Sequence, residues 1–132
     1  MLDLPQPGFE LNADPQQLQQ VMLNLVINAI ESQPTGGQIG IHLCETQAPD
    51  RLREVEIQVT DRGTGIPTEI LERIFDPFFS TKEAGTGIGL AICQRIIEDH
   101  SGTIVPQNRS QGGAVFTIRL PTLHQDTPAT NP

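Results

Sequence analysis

Three groups of residues in this chain are spaced for chemistry on a phosphate, a metal or an amine. Asn24 and Asn28 stand four residues apart in LQQVMLNLVINAIE (18–31). A helix sets both amides on one face, where each offers a neutral oxygen to a metal or an N–H to a phosphate. Asp61 opens DRGTGIP (61–67), and a carboxylate among glycines that admit close backbone approach can accept a hydrogen bond from an exocyclic amine. Lys82 precedes Gly85, Gly87 and Gly89 in STKEAGTGIGL (80–90). Consecutive backbone N–H groups, a helix N-terminus and an ammonium together form an anion site suited to β- and γ-phosphates.

Each group also has a plainer reading. The stripe Gln17, Gln20, Asn24, Asn28 and Glu31 would serve as a helix edge facing water, although two amides flanked by Leu23 and Ile27 are an odd choice for one. The letters D-x-G-x-G fit any tight turn, and the glycine-rich segment fits a flexible loop. The spacing does exclude two phosphate motifs, being neither G-x-x-x-x-G-K-[ST] nor G-x-G-x-x-G after a strand.

Hydrophobic periodicity defines the elements that must position these groups. Asp14-Pro15 reads as N-cap and first helical residue, and Leu18, Val21, Met22, Leu25 and Ala29 recur at helical spacing to about Ser32. That pattern predicts a helix buried over most of its circumference. Phe9 and Leu11 alternate as a short strand before it. Ile39, Ile41, Leu43 and then Val55, Ile57, Val59 alternate as two strands, an antiparallel pair joined by a polar loop. Thr68 is placed to cap a short helix to about Phe75, and 76–87 looks like a mobile lid. Leu90, Cys93, Ile96 and Ile97 define a helix over 88–100, and Ala114, Phe116, Ile118 and Leu120 the last of two further strands. Without strict β-α-β alternation this is an α+β two-layer sandwich: a mixed, mostly antiparallel sheet with helices on one face.

The 132 residues suit one domain, assigned to 9–121, with 1–8 as a linker and 122–132 as a disordered tail. A net charge of −8 excludes nucleic acid as a partner, since phosphate backbones require a clustered cationic face. The chain has no membrane-length apolar run, so this segment is expected to make no direct membrane contact. Cys44 and Cys93 lack metal-site spacing and read as two buried thiols in a reducing cytoplasm. His42, His100 and His124 read as ordinary surface histidines, His100 as a cation suited to the last turn of its helix.

Taken in order, the motifs resemble the ATP-binding domain of sensor histidine kinases, within the superfamily shared with DNA gyrase, the large heat-shock ATPase chaperones and MutL-type repair proteins. LQQVMLNLVINA (18–29) is similar to the N box, DRGTGIP (61–67) to the G1 box, IFDPFFSTK (74–82) to the F box and GTGIGLAI (85–92) to the G2 box. GGAVFTIRLP (112–121) is similar to that family's last strand, and the lid to that of nitrogen-regulatory sensor kinases.

The resemblance implies the Bergerat-type ATP-binding fold, with ATP and Mg²⁺ bound. It implies that Asn28 coordinates Mg²⁺, Asp61 binds the adenine amino group, and Asn24 and Lys82 serve the phosphates as the catalytic pair. Gly63 and Gly65 would let the backbone approach the nucleotide. Ile66, Phe79, Thr81, Gly85, Thr86, Gly87, Gly89, Leu90 and Thr117 complete the expected nucleotide contacts. Glu31 departs from the pattern, because many members carry a basic residue near the phosphates. Gyrase-like and chaperone-like relatives have a glutamate at position 24 as general base, and Asn24 cannot take a proton, so ATP hydrolysis is expected to be poor. The implied activity is transfer of the γ-phosphate to a histidine on a separate dimerisation and phosphoacceptor domain, with a response regulator downstream. This domain is expected to be monomeric and cytoplasmic. The alternatives are a serine or metabolic kinase of the same superfamily, or a nucleotide-sensing module that transfers nothing.

Overall fold

The computed structural model of the chain describes residues 13–33, 35–47, 53–76 and 89–122. The first helix, α1 (Pro15–Glu31), begins where the sequence sets it. The Asp14 side chain accepts from the N–H groups of Gln16 and Gln17, and Pro15 occupies the first turn, where no N–H is needed. Val21, Leu25 and Ala29 form its buried face. The helix is not buried over most of its circumference, since Leu23 (56%), Ile27 (42%) and Ile30 (54%) are exposed. A two-layer architecture covers a helix from one side only, and Asn24 and Asn28 lie half-buried at the border between the two faces.

Strands β1 (Gly40–Gln47), β2 (Arg53–Thr60), β3 (Thr103–Asn108) and β4 (Ala114–Pro121) form a four-stranded sheet in the order β1-β2-β4-β3. All three pairings are antiparallel, so the described strands include none of the parallel pairing that a mixed sheet would allow. Val59, Ile104, Phe116, Ile118 and Leu120 of the sheet pack against Val21 and Leu25 of α1 and against Cys93, Ile96 and Ile97 of the second helix, α2 (Gly89–Asp99). The helices thus share one face of the sheet, and the fold is the α+β sandwich. Phe75 meets Phe116 edge-on, with ring centroids 6.2 Å apart, and closes one end of the core.

Several local expectations are corrected. Residues Thr68–Arg73 form a 3-10 helix entered from Pro67, and Thr68 makes no capping bond. Cys93 is fully buried, but Cys44 is exposed: in register with Glu56, it points to the sheet face away from the helices. His100 is not a free surface side chain. Its Nε2 accepts the Asp14 N–H at 3.0 Å and its Nδ1 donates to the Ile96 carbonyl at 2.7 Å, joining the end of α2 to the start of α1. Thr122, placed by sequence in the tail, is 5% exposed, and its N–H donates to Arg53 O at 3.1 Å. The strand at Phe9 and Leu11 and the lid beyond Asp76 lie outside the described residues.

Candidate functional site

Asp61 lies where β2 leaves the sheet, and it is 3% exposed. Its N–H donates to the Ala114 carbonyl at 3.0 Å. Its Oδ1 accepts from the N–H groups of Gly63 at 2.8 Å and Ala114 at 3.2 Å. Charge-assisted bonds of this kind fix the carboxylate's direction, and among the described residues they engage Oδ1 and not Oδ2.

The C-terminal end of α1 holds the same loop from the other side. The Arg62 N–H donates to Gln33 Oε1 at 3.1 Å, an oxygen that also takes the Gln38 N–H at 3.2 Å. Gln33 Nε2 donates to the carbonyls of Ala29 and Gln38, each at 3.3 Å. Gly63 lies so close to α1 that a β-carbon would collide with the carbonyl and hydroxyl oxygens of Ser32. Its lack of a side chain is therefore required by packing, independently of any ligand.

Asn24 marks the other end of the helix edge. Its Nδ2 donates to the carbonyl of Gly89, the first residue of α2, at 3.4 Å. Burial pushes the nearby Cys93 thiol from the ordinary 9.0 up to about 11, a rise partly offset by a hydrogen bond with Asn24. Asn28 lies one turn beyond Asn24 and one turn before Ser32 on the same helix. Over about 12 Å of axis, α1 thus meets the N-terminus of α2 at Asn24, presents Asn28, and meets the Asp61 loop at Ser32. The first turn of α2 carries backbone N–H groups that its own hydrogen bonding leaves over.

The structure brings Asn24, Asn28, Asp61, Gly63 and Gly89 to this edge of α1, and Ile66 and Leu90 pack against the adjoining core. It does not bring Thr117 there. Phe116 and Ile118 turn toward the helices, so alternation points Thr117 to the opposite face of the sheet, in register with Gln58. Phe79, Thr81, Lys82, Gly85, Thr86 and Gly87 lie outside the described residues. Gln33, Asn108 and Arg109 all grip the Asp61 loop, and sequence reasoning passed over them. Their only visible signal is an amide just past a helix and an Asn-Arg pair before the turn SQGG, which periodicity does not weigh.

Comparison with known proteins defines the class. The chain belongs to the family of histidine kinase-, DNA gyrase B- and HSP90-like ATPases, whose family model matches residues 13–124. It is similar to Sporulation kinase C of Bacillus subtilis, at 41% identity over 114 residues, covering 86% of this chain and 26% of that protein. It is also similar to the sensor histidine kinase ZraS of Salmonella typhimurium, at 48% identity over 113 residues, covering 86% and 23%. The nucleotide-free catalytic domain of the histidine kinase ThkA superposes with a TM-score of 0.73 at 43% identity, covering 84% of this chain and 70% of that one. The chain spans about a quarter of the length of these curated relatives. No described helix is long and apolar enough to cross a membrane.

Proposed function

We propose that this chain binds Mg·ATP along the polar edge of α1 and presents the γ-phosphate to a histidine on a separate phosphoacceptor domain, as the catalytic part of a two-component sensor kinase. The observation that carries the proposal is the order of groups along that edge: Asp61 loop, Asn28, N-terminus of α2. The base lies at the Asp61 end, where Oδ1 is held by two backbone N–H groups and Oδ2 accepts from the adenine amine. The phosphates lie toward the first turn of α2, which offers backbone donors and the positive end of the helix dipole, with Lys82 and the lid glycines contributing from outside the described residues.

Asn28 fits Mg²⁺. It is a half-buried neutral amide beside the expected phosphates, and among the described residues no group of three or more His, Cys, Asp or Glu could cage an ion. One protein oxygen suffices when waters and phosphate oxygens complete the octahedron. When bound, Mg²⁺ supplies charge neutralisation on the transferring phosphate. Asn24 orients the phosphate end through its bond to Gly89 and cannot take a proton from a water nucleophile, which leaves in-line attack to an incoming imidazole.

The setting in this proposal is the cytoplasm, with a response regulator downstream and the isolated domain monomeric. The TKEAGTG lid sequence (81–87) supports a place near the nitrogen-regulatory kinases. Calorimetry on Asp61→Asn tests the site. ATP affinity should fall about 10- to 100-fold, the scale of one charged hydrogen bond, in a protein that still folds. Unchanged affinity would remove Asp61 from the site.

A further inference from the structure

Asn108 ends β3, and its side chain pairs with backbone that belongs to no strand. Its Oδ1 accepts the Ile66 N–H at 2.6 Å and its Nδ2 donates to the Ile66 carbonyl at 2.6 Å. One amide thereby reproduces the paired donor and acceptor of an antiparallel bridge, which only Asn and Gln side chains can offer. Gly65 makes room for it. A β-carbon at Gly65 would lie 2.9 Å from Asn108 Oδ1, and the residue's φ of +80 is one that glycine adopts without strain.

The next residue grips the other end of the same loop. Arg109 Nη1 donates to the Asp61 carbonyl at 3.0 Å. Gly113 presses its backbone against that carbonyl so closely that no β-carbon would fit. Ala114 then supplies the two bonds that set the Asp61 backbone and carboxylate. The Arg109 N–H donates to the Gly113 carbonyl at 2.9 Å, closing the turn as one unit. A single hairpin therefore holds Asp61 at one end and Ile66 at the other, with Gly63 and Gly65 between them adding little stiffness of their own.

We infer that Asn108 is a positioning residue for base selection: by clamping Ile66 it holds the loop that carries Gly63, whose N–H is one of the two that aim the Asp61 carboxylate at the base. The inference rests on Asp61 being the base contact. A correctly aimed carboxylate accepts from the amine of adenine and repels the carbonyl oxygen that guanine carries in its place. Aim, and not only affinity, therefore determines the preference for adenine. The clamp's bonds are exposed, so losing them costs the fold little and separates positioning from stability.

The test measures ADP and GDP affinities by displacement of a fluorescent nucleotide from the whole chain. Asn108→Ala should weaken ADP about tenfold and GDP little, shrinking the preference for adenine. Asn108→Asp keeps the acceptor for the Ile66 N–H but lacks the donor, so it should fall between, and it carries the test if the alanine variant does not fold. Equal losses for ADP and GDP, or unchanged ADP affinity, would overturn the inference. Asp61→Asn is the control. If it abolishes the preference and the Asn108 variants do not, the base site stands and only this inference fails. If the unmodified chain has no preference, or Asp61→Asn keeps it, the assignment of Asp61 itself fails.

Discussion

Gln33 Oε1 accepts the Arg62 N–H at 3.1 Å, so the residue that follows Asp61 is anchored to the C-terminal end of α1. This single amide serves four backbone groups from three segments while 9% exposed. Gln33→Leu keeps the volume and removes every bond. At about 1 kcal/mol for each hydrogen bond, unfolding free energy should fall by about 4 kcal/mol, read as a lower urea midpoint. A midpoint equal to that of the unmodified chain would show that the loop is held elsewhere.

Asn28→Ala should weaken ATP binding in the presence of Mg²⁺ far more than in EDTA, because the group removed is assigned to the metal and not to the base. Paired calorimetric titrations read the difference. Equal losses in both conditions would assign Asn28 to the nucleotide itself or to the fold.

The two cysteines should behave oppositely. An aromatic disulfide reagent at neutral pH should label Cys44, which is exposed, and spare Cys93 until the protein unfolds. Cys93 also sets an alkaline limit on stability. Its folded value of about 11 lies above the ordinary 9.0, so the unfolded chain releases this proton first. The stabilisation is complete below pH 9.0 and is lost as pH rises toward about 11, at up to about 1.4 kcal/mol per pH unit. The chain has no tyrosine to obscure the titration. Cys93→Ala should flatten that slope, and an unchanged slope would place the effect elsewhere.

Legibility in the sequence followed the range of the interaction. Asp14, Pro15 and the Val21–Leu25–Ala29 face act within one helix, so capping and periodicity located α1. Alternation likewise located both central strands, and helical spacing placed Cys93 on the buried face of α2. Contacts set by tertiary structure were not readable. Cys44 looked buried because it sits in an apolar strand, but the second layer covers only the other face. His100 looked like an ordinary surface side chain because its partner Asp14 is 86 residues away. Thr117 lies in a motif-bearing strand, yet the side chains of adjacent residues point to opposite faces, so one position separates Phe116, packed against the helices, from Thr117, buried on the other face of the sheet. Asn108, Arg109 and Gln33 act on the Asp61 loop through bonds to backbone, and backbone partners leave no pattern in a single sequence.

The central claim, phosphate transfer to an external histidine, is tested most directly by mixing this chain with labelled Mg·ATP and a separately made phosphoacceptor hairpin of the same kinase. The proposal expects acid-labile phosphate on the hairpin and none on the chain, alone or in the mixture. Acid-stable phosphate, or stoichiometric labelling of His42, His100 or His124 in the chain by itself, would contradict it.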